Sequence, residues 1–266
     1  MKVTNLNVVF LSHGSPTILI EKGDFAEFLE KLGQKYKTIG IDTIVIASPH
    51  WIVRDKNFYV NVAEKPMCIK DYYGFPKELY EFRYDCLNDV ELAGSIIEEG
   101  EKVGLSVKGT QSWGIDHGAW VILYFMFPEK DVKVVPVSSS AFLSPYEHRE
   151  FGRVIKTAVE KSQRKVLFIG SGSLTHRLDL VMFGVNDVFE GGKKFDDKVV
   201  SILESKEKWD EILNLWNDPL FFSAQPEGHL LTLFITLGVA DDKKEAKRIF
   251  YSGMWYGLSL IAIEFI

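Results

Sequence analysis

Cysteine is scarce in this chain: its 266 residues include two, Cys68 and Cys86. Two isolated thiols exclude a disulfide framework, and a thiolate zinc site needs closely spaced pairs that are absent. They read as free thiols in a reducing compartment. Positive charge is also short, with 31 Lys and Arg against 37 Asp and Glu and a net charge of −6. No stretch gathers the basic residues of a nucleic-acid footprint. Clusters such as Asp241-Asp242-Lys243-Lys244 mix their signs and read as solvated turns or helix starts. No apolar run approaches the ~20 residues of a membrane helix. The first residues lead straight into a strand, without the apolar region and cleavage site of a leader. The expectation is a cytoplasmic protein with neither nucleic acid nor membrane as partner. Solenoid repeats, low-complexity tracts and linkers are missing as well, so residues 1–266 read as one domain.

What is present is a set of buried strands alternating with amphipathic helices. Val8-Val9-Phe10-Leu11 and Ile44-Val45-Ile46-Ala47 are apolar and largely β-branched, as strands covered on both faces must be. Between them, residues 24–37 carry Phe25, Phe28, Leu29 and Leu32 on one helical face, with Asp24 as N-cap. Strand, helix and strand make a βαβ unit with a right-handed crossover. Further strands are expected at 57–63, 132–138, 166–169, 249–251 and 258–263. Helices are expected at 90–103, 121–126, 145–162 (Ser144 as cap, Pro145 in the first turn) and 230–237. One or two more fall in 193–217, burying Trp209, Leu213 and Trp216. The fold class is α/β: a central parallel or mixed sheet flanked by helices, with ligands expected at the strand-end rim.

Histidine is rare too, with six in the chain. His13 and His50 each follow a buried strand, and Pro49 is expected to end the second strand so that His50 sits just past it. A metal shared by His13 and His50 is the working hypothesis, since neutral imidazole is a common metal ligand. His176 follows the 166–169 strand on a glycine-flanked turn. His117 and His229 begin helices, and His148 lies among charges in Tyr146-Glu147-His148-Arg149-Glu150 and is expected at the surface. The aromatic segment Asp71-Tyr72-Tyr73-Gly74-Phe75-Pro76 either packs its rings on the core or walls a pocket.

Six short motifs stand in a telling order: Ser12-His13-Gly14-Ser15-Pro16, Ser48-Pro49-His50-Trp51, Asp71 to Pro76, Gly114-Ile115-Asp116-His117-Gly118-Ala119-Trp120, Gly170 to His176, and His229-Leu230-Leu231. Together they resemble the class III extradiol ring-cleavage dioxygenases, in the DOPA 4,5-dioxygenase-like branch. The resemblance implies a non-haem Fe(II) enzyme that opens a catechol with O₂, with one divalent metal per chain and Zn(II) as an alternative bound ion. It implies His13, His50 and His229 as metal ligands, His176 as acid/base and His117 beside the substrate hydroxyls. Tyr72, Tyr73 and Phe75 become a wall of the substrate pocket.

This chain departs from the branch at Gly228 and Thr232 around the third ligand, at Arg177 after His176, and along Phe82 to Cys86. The departures leave the substrate open. Glu227 competes with His229 as third ligand. His176 is a fourth ligand if the ion is tetrahedral zinc, and Asp116 either orients a histidine or caps a helix. Two other classes stay in view: a zinc hydrolase on the same scaffold and a binding protein that has lost the chemistry. A homo-oligomer is compatible with the sequence.

Overall fold

The apolar runs pair with one another. In the computed structural model, which describes residues 5–266, the chain begins with β1 (Leu6–Leu11), a single turn α1 (Ile18–Glu21), α2 (Asp24–Ile39), β2 (Thr43–Val53) and β3 (Phe58–Asn61). It continues through α3 (Val90–Lys102), β4 (Val107–Thr110), α4 (His117–Met126), β5 (Lys133–Ser140), α5 (Pro145–Lys161) and β6 (Val166–Ser171). The remainder holds α6 (Glu190–Leu203), α7 (Trp209–Ile212), α8 (Pro219–Ala224), α9 (Leu231–Val239), β7 (Ala246–Met254) and β8 (Leu258–Phe265). Residues 1–4, the first of the stretch read as lacking a leader, lie outside the described residues.

One eight-stranded sheet results, in the order β4-β3-β5-β2-β6-β1-β8-β7. The four central strands, β5, β2, β6 and β1, are parallel. Antiparallel β8 and β7 close one side, and β3, antiparallel to β5, begins the other. The sheet is therefore mixed, within the class expected. Alternate residues face opposite layers. Val8, Phe10, Val45, Val135 and Phe168 pack with side chains of α5 and α9, whereas Val9, Leu11, Ile44, Ile46 and Ile169 pack with α2 and α4. Burial on both faces explains why these strands read as unbroken apolar runs.

Several expectations need correction. Pro49 does not end β2, which continues to Val53 and re-pairs with β5 through Ile52 and Ser139 after a register shift beyond Ala47. Proline has no N–H for the ladder and is tolerated at such an irregularity, so His50 stands on a bulge inside the strand. Asp24 is the first helical residue, and Gly23 occupies the cap position. His148 is fully buried. Its Nε2 accepts the Ser140 N–H at 3.1 Å and its Nδ1 donates to the Ser144 carbonyl at 2.8 Å. It is an internal brace between α5 and the end of β5, and burial pushes its imidazole down to about 4. Trp209 and Leu213 are buried as expected, but Trp216 is 54% exposed because it falls on a short 3₁₀ turn rather than on α6. Ser144 caps α5 with Pro145 in its first turn as read, and Glu147 completes a capping box. Among the described residues no helix is long and apolar enough to cross a membrane.

Candidate metal centre

His13 lies two residues beyond β1, in a loop pinned when Ser12 Oγ donates to the Ser259 carbonyl (3.1 Å) and accepts the Ile261 N–H (3.0 Å). Its Nδ1 is 3.0 Å from Ser171 Oγ, and that hydroxyl donates its own proton to the Gly118 carbonyl at 2.5 Å. Ser171 can then only accept, so His13 carries its proton on Nδ1 and presents a bare Nε2. His50 Nδ1 lies 2.9 Å from Asp71 Oδ2, and the backbone N and Nδ1 of His117 each lie 2.9 Å from Asp71 Oδ1. One carboxylate thus orients two imidazoles, in the way outer-sphere groups orient metal ligands.

The inner atoms converge. His13 Nε2 and His50 Nε2 are 3.3 Å apart, and each is 3.4 Å from Glu227 Oε1. The other oxygen of Glu227 accepts the Ser173 N–H at 3.0 Å. His176 Nε2 stands 3.6 Å from Glu227 Oε1, on the cleft side. A ring nitrogen of His117 also lies within 4.8 Å of those of His13 and His50, so two sets of three donors share that pair. The set with Glu227 has separations of 3.3–3.4 Å, and it supplies a negative charge.

The field at this point favours a cation. Burial works against the Glu227 carboxylate, but the imidazoles of His13, His176 and His50 outweigh it and hold the carboxyl below its ordinary range. Burial likewise opposes Asp71, whose bonds to His117 and His50 hold it low. Burial pushes His13 down to about 3 against the pull of Glu227, so its Nε2 is an acceptor at neutral pH. His50 is pushed up to about 10: desolvation opposes the charge, and Asp71 and Glu227 override it. Two nitrogens and an anionic oxygen facing one another need a positive charge between them, from a proton on His50 or from a metal ion. The donor chemistry fits a divalent ion held by two imidazoles and a carboxylate, and metal uptake would release the proton.

The structure does not bring His229 to this cluster. Gly228, His229 and Leu230 all take left-handed backbone, with φ of 55°, 55° and 65°. That turn sends Glu227 inward and lays the His229 ring near-parallel to Phe221, with centroids 6.4 Å apart. The side chain of Asp116 makes no cap bond, and its hydrogen bonds go to Ser48 and Trp113 rather than to a histidine ring. Its buried carboxylate accepts from Ser48 Oγ (2.5 Å) and Trp113 Nε1 (3.0 Å), while Ser48 Oγ accepts the His50 N–H at 3.2 Å. Gly118 is needed for close approach, since a Cβ there would lie 2.6 Å from Ser48 Oγ and 2.7 Å from His50 Cδ2.

In the aromatic segment, Tyr72 is buried edge-on to His117 at 5.4 Å, and Phe75 packs edge-on to Tyr72. Tyr73 is 92% exposed. Asp71 is a functional group absent from the sequence-predicted set, since its contacts to His50 and His117 are made across the fold. Its signal was a lone carboxylate inside an apolar motif. A cleft of about 990 Å³ opens onto His50, His176 and Glu227, walled by Pro49, Phe221 and Pro226.

Residues 7–259 match the family described as the catalytic LigB subunit of aromatic ring-opening dioxygenase, and the chain belongs to that family, the class III extradiol dioxygenases. It is 30% identical over 255 residues to a 4,5-DOPA dioxygenase extradiol of Beta vulgaris, covering 93% of this chain and 91% of that one. It is 27% identical over 269 residues to the protein of the same name from Escherichia coli strain K12, covering 99% and 96%. A crystal structure of an uncharacterized protein from Escherichia coli K12 shares the fold, with a TM-score of 0.78 at 23% identity over 97% of this chain and 98% of the other. The branch is the DOPA-dioxygenase-like one, and the protein is a non-haem extradiol ring-cleavage dioxygenase.

Proposed function

We propose that the chain opens a catechol-type ring beside its two hydroxyls, consuming O₂, with a single Fe(II) held by His13, His50 and Glu227. The observation that carries the ligand set is the convergence of His13 Nε2, His50 Nε2 and Glu227 Oε1 within 3.4 Å of one another. Two histidines and one carboxylate on a face with open positions suit a non-haem Fe(II) oxygenase. Fe(II), when bound, supplies the sites for the catechol oxygens and O₂ and the electrons that activate O₂. Both atoms of O₂ end in the product, and the bond between a hydroxyl-bearing carbon and its unhydroxylated neighbour is broken.

The chain's own residues manage protons and position. His176 stands on the cleft side of Glu227, where it accepts a catechol proton on binding and returns one as the O–O bond breaks. Such acid/base work is worth ~10²–10⁴-fold. His117, fixed through Nδ1 by Asp71, faces the substrate hydroxyls from the opposite side, and Tyr72 backs its ring. Glu227 offsets one of the two positive charges of the ion, so a catecholate monoanion brings the ion and its direct ligands to neutrality. That balance favours Glu227 over a third imidazole.

Protein reconstituted anaerobically with Fe(II) and then given a panel of catechols and air tests this reading. Oxygen uptake with a yellow ring-opened product is the expected result. A panel that binds without consuming O₂ overturns it.

A further inference from the structure

The outer half of the cleft offers an anion neither lysine nor arginine among its described lining residues. Beyond the metal-binding atoms its wall is Leu178, Asp179, Phe221, Phe222, Gln225 and His229. Leu178 and Phe222 are 64% and 67% exposed, so apolar surface stands uncovered at the mouth. The guanidinium tied to this wall, through Asp179, belongs to Arg177, and each of its three nitrogens makes one hydrogen bond. Its Nε and one terminal nitrogen donate to the two oxygens of Asp179, each at 2.7 Å, and the other terminal nitrogen donates to the Ser223 carbonyl at 2.8 Å. Its plane lies over Phe189, 5.7 Å from the ring centre. A two-point pair of this kind satisfies the guanidinium in direction as well as in charge.

A catechol bound through its hydroxyls at the inner end directs its ring substituent along this wall. An apolar substituent meets Leu178, Phe221 and Phe222. A carboxylate meets the Asp179 side chain with no lysine or arginine to offset it, and Gln225 and His229 are the outer-wall groups left to replace the hydration it loses. We propose that the cleft selects catechols with an uncharged apolar substituent over those carrying a carboxylate, and that the Arg177–Asp179 pair sets this preference. The proposal rests on the dioxygenase reading above and adds the substrate class to it.

Two probes separate the outcomes: 4-methylcatechol and 3,4-dihydroxyphenylacetate, titrated by calorimetry into the full chain loaded with Zn(II), which does not turn them over. The neutral probe is expected to bind tighter by about tenfold or more, the worth of one hydrogen bond to a charged group. Asp179→Ala frees the guanidinium and should close that ratio by roughly tenfold. The double variant Arg177→Gln, Asp179→Ala should restore it. Equal or tighter binding of the acid to the wild-type protein overturns the proposal. So does an Asp179→Ala ratio that does not move, checked with Asp179→Asn. Oxygen uptake by the Fe(II)-loaded protein is read separately. No uptake with either probe sinks the dioxygenase reading, while the binding ratio still decides the preference. Failure of both probes to bind overturns both.

Discussion

Asp71 touches two imidazoles with two oxygens, and the whole centre leans on that fact. Removing its charge by Asp71→Asn leaves one Nδ1 without an acceptor and lets the His50 and His117 rings turn. Metal affinity should fall by ~10–100-fold, the usual cost of losing an outer-sphere partner, as read by competition with a chelator. The ligand assignment gives a sharper test at the same scale. Metal content after loading should vanish in His13→Ala, His50→Ala and Glu227→Ala and persist in His229→Ala. His176→Ala should keep the metal and lose turnover by ~10²–10⁴-fold. Equal metal loss in His176→Ala would make that residue a ligand, and metal loss in His229→Ala would restore the three-histidine face. Gly118→Ala is the steric counterpart. Its Cβ would sit 2.7 Å from His50 Cδ2, so His50 must move, and destabilisation of ~1–3 kcal/mol is expected by denaturant titration.

Elements were more legible in the sequence than the side chains they carry. Parallel strands buried on both faces announce themselves as apolar runs, and the histidines after β1 and β6 were read from that. A local proline rule ends β2 at Pro49, because re-pairing of β2 with β5 beyond the bulge is a tertiary event invisible to it. His148 sits among charged neighbours in sequence, yet α5 turns it inward against Phe58 and the end of β5. Glu227 and His229 are two residues apart, and only a left-handed turn over 228–230 decides which faces inward. No propensity forecasts such a turn at histidine and leucine.

The tie between α6 and β7 gives a pH prediction. Asp196 on α6 accepts from Thr175 Oγ1 (2.8 Å) and Tyr251 Oη (2.9 Å). Burial pushes its carboxyl up to about 7 despite those bonds. A folded-state value above the unfolded one favours the protonated native form. The stability it contributes is full below the unfolded value near 3.8 and is lost as pH rises through about 7. Between those limits, stability of the wild-type protein should fall relative to Asp196→Asn, measured by urea titration at each pH. A difference between the two that stays constant with pH would refute it.

At the scale of the molecule the proposed ligands come from three places far apart in the chain: the loop after β1, the bulge in β2 and the turn before α9. An ion joining them cross-links the centre of the sheet to the layer formed by α9, and the unfolded chain has no equivalent site. Binding free energy therefore appears as folding free energy. With free metal at about 100 times its dissociation constant the gain is ~2.7 kcal/mol, which for a domain of this size raises the midpoint of thermal unfolding by roughly 5–10 °C. The shift should reverse with a chelator and be absent in Glu227→Ala. It should also shrink as pH falls, because a metal ion at the centre must displace the proton that Asp71 and Glu227 hold on His50. A metal-induced shift of the same size in Glu227→Ala would mean that Glu227 is not a ligand, as when His117 completes the set with His13 and His50.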